Sequence, residues 1–132
     1  MIKFRKSIVF AALAVAAGSV FAQMPDVLKL MKATVIPNSN IVFSVGNKVP
    51  KTDAEWAAVQ TSAAVLVETA QRLMALGPDN GRDQWGQFVV DFRAAARKAA
   101  DAAKAHNVDG VTDAGDALFE TCEGCHRAHM KK

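Results

Sequence analysis

Between Trp56 and Leu73 the apolar residues recur at alternating steps of three and four: Trp56, Val59, Ala63, Leu66, Ala70 and Leu73. Only an α-helix brings such positions onto one face, and alternating steps make that face a seam for packing against other helices. The ends are marked as sharply. Thr52 with Glu55 three residues on forms a capping box that opens the helix, and Gly77-Pro78 stops it. A helix of this length cannot bury its stripe alone, so the rest of the chain must supply partners.

Three other segments read as those partners. From Met24 to Val45 a stripe of Met24, Leu28, Met31, Val35, Asn38, Val42 and Val45 follows helical steps. Pro37 interrupts it by clashing with the carbonyl of Ala33, and Asn38-Ser39-Asn40 can cap a second piece. The expectation is one kinked helix or two short helices in line, followed by a connection over residues 46–51. After a turn at 79–83, a third helix is expected from about Arg82 to His106, with Asn107 ending it. Its seam is Trp85, Phe88, Phe92, Ala95, Ala99 and Ala102, bulky at one end and alanine-lined at the other. Such tapering either leaves room for a flat cofactor or closes the helices tightly with no cavity. The fourth helix, capped by Asp109, carries Val111, Ala114, Leu118, Cys122, Cys125 and His129 inward. Arg127, Lys131 and Lys132 suit its terminal carbonyls; docking of an acidic partner is the other reading of this basic tail. Four amphipathic segments, short connections and almost no strand signal predict an all-α, antiparallel up-and-down four-helix bundle.

Residues 1–22 read as a cleavable export signal. Lys3, Arg5 and Lys6 precede an apolar run from Ile8 to Ala17, and Gly18-Ser19 lead to a cleavage site after Ala22. The run is short for a membrane span, although a retained anchor is the alternative. Residues 23–132 then form a single domain. The chain has 16 basic and 13 acidic residues, and three of the basic ones lie in the signal. The remainder is close to neutral, which gives no reason to expect nucleic acid as a partner. The expected location is the periplasm, with no membrane association after cleavage.

Both cysteines of the chain lie in Cys122-Glu123-Gly124-Cys125-His126. C-x-x-C-H is the attachment sequence of c-type haem. On a helix the two sulfurs share a face and can form thioethers with the haem vinyl groups, while His126 reaches the iron. A disulfide would leave the histidine unused. A thiol–disulfide redox pair normally opens a helix, and a zinc site on Cys122 and Cys125 would need two more ligands, for which His106 and His129 are the candidates. For a sixth iron ligand the methionines are Met24, Met31, Met74 and Met130; Met130 lies one turn past His126 on its own side, and His106 is a weaker rival.

With these residues in place the chain resembles the class II c-type cytochromes, the group that includes cytochrome c prime. The resemblance rests on Cys122–His126 near the end of the fourth helix. The stretches Met31…Val35-Ile36-Pro37 and Thr52-Asp53-Ala54-Glu55-Trp56-Ala57-Ala58-Val59 are similar to an exported branch of that group. It implies one covalent haem c held by Cys122 and Cys125, with His126 as proximal ligand and Met31, from the first helix, as the sixth. The implied function is periplasmic electron transfer to a redox partner protein, not enzymatic turnover, with homodimer formation through the first two helices. The alternative is a five-coordinate protein binding NO or CO, in which Met31 or Leu28 only crowds the distal face. The chain departs from the group at His129, where an aromatic residue is common, and at Met130, where a basic residue is. His129 reads as a surface histidine or a partner for a haem propionate.

Overall fold

A computed structural model describes the backbone of residues 20–81 and 83–130, with side chains from residue 24 onward except 79 and 80. The export signal expected over 1–22 lies outside the described residues apart from the backbone of its last three. Every regular element among the described residues is helical. Helix α1 spans Val20–Leu30, a π-helical segment spans Met31–Val35, and α2 spans Ile36–Ser44. These run on as one composite first helix. Helix α3 spans Asp53–Leu76, a 3-10 turn Pro78–Gly81, α4 Gln84–Lys104 and α5 Val108–His129. No helix among the described residues is long and apolar enough to cross a membrane.

The helices pack in sequence order around one core. The composite helix lies against α3 and α5, α3 against α4, and α4 against α5. Directions alternate. The last turns of α1, at Asp26 and Lys29 in the first half of the composite helix, share a groove with Arg72 and Leu76 at the end of α3. Trp56, early in α3, stacks on His106 just past α4 at 5.0 Å and 7°. Phe88, early in α4, meets His129 at the end of α5. The result is the expected up-and-down arrangement of four helices.

Local chemistry accounts for the ends. Thr52 accepts from the Glu55 N–H while the Glu55 carboxylate accepts from the Thr52 N–H, so the capping box forms as the sequence requires. Asp83 caps α4 through the Trp85 N–H. The cap of α5 is Asn107, which accepts from Gly110, rather than Asp109. Asn107 sits at the extended position before the helix, where a side-chain oxygen can reach the N3 amide. His106, at φ 53°, supplies the left-handed turn between α4 and that cap.

The first helix departs most from its expected form. Two α-helical pieces do lie in line, as one of the two expectations had it, but the chain does not leave the helix at Pro37. The turn ahead of it widens instead, with the Ile36 N–H donating to the Met31 carbonyl five residues back. Proline has no N–H to donate, and the Asn38 side-chain Nδ2 donates at 2.8 Å to the Thr34 carbonyl in the same turn. One wide turn also resets the phase of the buried stripe. Val27 and Leu30 are buried, then Val35, Ser39 and Val42, with a step of five across the π segment. Met24 and Leu28, expected to face inward, are 38% and 54% exposed. The uninterrupted 3.6-residue period therefore selected the wrong face within α1, while Met31 and Val35 of the same stripe do face inward.

Candidate functional site

A crevice of about 250 Å³ lies among the π segment and α2, the first half of α4 and the last turns of α5. That is slightly below the roughly 300–1,000 Å³ usual for organic ligands. Its mouth, however, is flanked by Ile36 and Phe119, each about half exposed, so an occupant would keep one edge in solvent.

Helix α4 builds the inner wall. Trp85, Phe88, Val89 and Phe92, the i, i+3, i+4 and i+7 positions of one face, line it with Leu73 of α3. Trp85 is held by an indole N–H that donates to the Leu73 carbonyl at 2.7 Å, a buried bond joining α3 to α4. Gly77 makes room for that ring, since a Cβ there would collide with it. Phe88 lies flush against α5 at Gly124, where a Cβ would come within 2.7 Å of the ring. The residue between the two cysteines is thus small because an aromatic ring packs on it.

Helix α5 brings Cys122, Cys125 and His126 to the crevice, and the composite helix brings Met31, Val35 and Ser39. Residues some 90 positions apart in sequence meet here. The other candidates go elsewhere. Met74 packs on Gly81 in the α3–α4 turn, Met130 is 60% exposed and Met24 is near the solvent end of α1. His106 stacks on Trp56 at the far end of the bundle. Leu28 is exposed and does not line the crevice, so it cannot crowd a ligand there. His129 is not a surface histidine: it lies half-buried between Trp85 and Phe88, edge-on to both rings, with its Nε2 buried and unpartnered. Its place on the inward stripe of α5 agrees with this, and the rings of α4 that cover it are what the stripe alone does not identify.

Ser39 escaped the sequence reading. It is 4% exposed, its hydroxyl has no partner, and it faces an otherwise apolar wall. A signal for it existed, because it sits four residues after Val35 and three before Val42 on the true stripe.

Both thiols are free. Burial pushes the Cys122 thiol up, against hydrogen bonds from Thr121 and its own backbone. Burial, with the nearby Cys122, pushes Cys125 up to about 11. These are the reverse of the conditions that make a redox thiolate, as is their place in the last turns of a helix, whose carbonyl end disfavours an anion. Among the described residues no three His, Cys, Asp or Glu side chains converge as a metal would require. A bare zinc ion would therefore find too few ligands, whereas iron in a porphyrin brings its own equatorial nitrogens. The apolar and aromatic walls, paired sulfurs, imidazole, thioether and orphaned Ser39 hydroxyl together suit a flat, largely apolar macrocycle carrying a metal. Comparison of the chain with family models, with curated proteins and with solved structures gives no match.

Proposed function

We propose that this chain is an exported monohaem c-type cytochrome that carries electrons. In this reading Cys122 and Cys125 hold haem c through thioethers, His126 is the proximal iron ligand and Met31 the sixth. One observation carries the reading: the C-x-x-C-H residues of α5 and a single methionine of the first helix line one apolar crevice. When bound, the haem iron supplies a one-electron couple. The polypeptide does the rest. Trp85, Phe88, Val89 and Phe92 exclude water from one side, which stabilises the less charged oxidation state and sets the potential together with the ligands. Phe88 packed on Gly124 fixes the turn that carries the sulfurs. A thioether from Met31 favours reduced iron and raises the potential. The exposed lip at Ile36 and Phe119 leaves an edge accessible to a partner.

The test is an absorption spectrum and an intact mass of the secreted protein, made in cells that attach c-type haem. A low-spin spectrum insensitive to CO, with a mass raised by one haem, is expected. Met31→Ala should turn the spectrum high-spin, open the site to CO and lower the potential. A wild-type protein that is already high-spin and binds CO would instead be the five-coordinate gas binder. A colourless protein with the mass of the bare polypeptide would refute both.

A further inference from the structure

Five carboxylates run in line along the outer face of α5: Asp109, Asp113, Asp116, Glu120 and Glu123, at steps of four, three, four and three, all exposed. These steps stack side chains on one side of a helix, where like charges repel and weaken it. No lysine or arginine relieves them within α5 before Arg127. Asp109 in the first turn suits the helix dipole, and Arg127 lies one turn past Glu123. The unrelieved repulsion therefore falls on Asp113, Asp116 and Glu120, and a cationic surface would remove it.

The row reaches the crevice. Glu123 lines its wall, and next to it Phe119 is 52% exposed, packed edge-on against Phe43 with centroids 6.2 Å apart. Across the mouth lies Ile36, 51% exposed, on a stretch that carries no charged residue from Ala33 to Asn47. The mouth is thus an apolar patch of Ile36, Phe43 and Phe119, with a row of negative charge along one side only. An anionic membrane or a nucleic acid would be repelled by that row.

We propose that this mouth is the docking surface of a protein partner that presents an apolar spot beside a row of lysines or arginines. The partner's role as electron donor or acceptor rests on the cytochrome reading; the surface itself does not. Small apolar contacts steered by opposite charge suit short-lived encounters, because charge raises the rate of association while the small patch permits release.

The test is a titration of the 15N-labelled secreted protein, reduced, with the peptide Lys-Lys-Trp-Lys-Lys as a mimic of that patch, at low and at high salt. Amide shifts are expected along residues 113–123 and 36–43, and binding should weaken about tenfold or more as salt screens the row. The triple variant D116N/E120Q/E123Q should lose about tenfold in affinity at low salt. A control triple with the same charge change elsewhere, E68Q/D91N/D101N, should lose less than about twofold. Equal losses in the two triples, shifts scattered over the surface, or binding indifferent to salt would each overturn the proposal. So would dimers at low salt formed through Arg93 and Arg97 of α4 on the row of a second copy. The spectrum reads the haem separately. Peptide docked on a colourless chain keeps the surface and removes the electron-transfer role, while a coloured protein with scattered shifts does the opposite.

Discussion

The two halves of α4 behave in opposite ways. Its second half, with Ala95, Ala96, Ala99 and Ala103, is closed: the last three are wholly covered, and neighbouring helices approach to the backbone. Its first half, with Trp85, Phe88, Val89 and Phe92, borders the crevice. The small residues therefore let the helices shut over them. The large ones hold helices apart and line the space that remains. The tapering seam thus puts the open space at its bulky end.

The largest effect that could break this contrast concerns covered side chains. Leu66 is 0% exposed and outside the crevice wall, so Leu66→Ala should cost about 2–5 kcal/mol in urea unfolding. Met31→Ala, at a half-buried position beside empty space, should cost the haem-free chain under about 1.5 kcal/mol. Similar losses would show that the crevice is packed as densely as the core. A sharper comparison adds volume to α4 itself. Ala99→Leu should destabilise by about 1–3 kcal/mol, whereas Val89→Leu, able to extend into the crevice, should stay within about 1 kcal/mol. If both variants unfold alike, the halves do not differ.

The smallest effect belongs to the closed end, at the cap of α3. Hydrogen bonds from the Lys51 and Thr52 amides hold the Glu55 carboxyl below its ordinary value of 4.5. The folded form thus favours the charged group, and its contribution is complete above pH 4.5 and lost as pH falls through the lowered value. Comparing acid unfolding of the wild type with Glu55→Ala should show the two curves converge below that range and separate above it. Met31→Ala, at the open end, should leave this pH dependence unchanged.

Much of the frame was legible in the chain. The seam from Trp56 to Leu73 is buried at each expected position, and Thr52 and Glu55 make their predicted box. These features are local, or repeat at a fixed period. The crevice was legible in its parts: the sulfurs, the histidine and Met31 were candidates before any of them had neighbours. What was hidden depended on contacts between elements. The Trp85 bond to Leu73, the ring of Phe88 on Gly124 and the burial of His129 all cross from one helix to another. The phase of α1 was hidden for another reason. Pro37 announces an irregularity, but the period cannot tell whether the chain answers by breaking or by widening a turn.

The widened turn at Met31–Val35 means that the first helix holds one residue more than its turns need. With a single residue removed from that loop of backbone, such as Lys32, the buried positions Val27, Leu30, Val35, Ser39 and Val42 would follow ordinary steps of three and four throughout. The surplus residue is what lets the stretch before the proline and the stretch after it both turn their greasy sides to the same interior, despite being written in different registers.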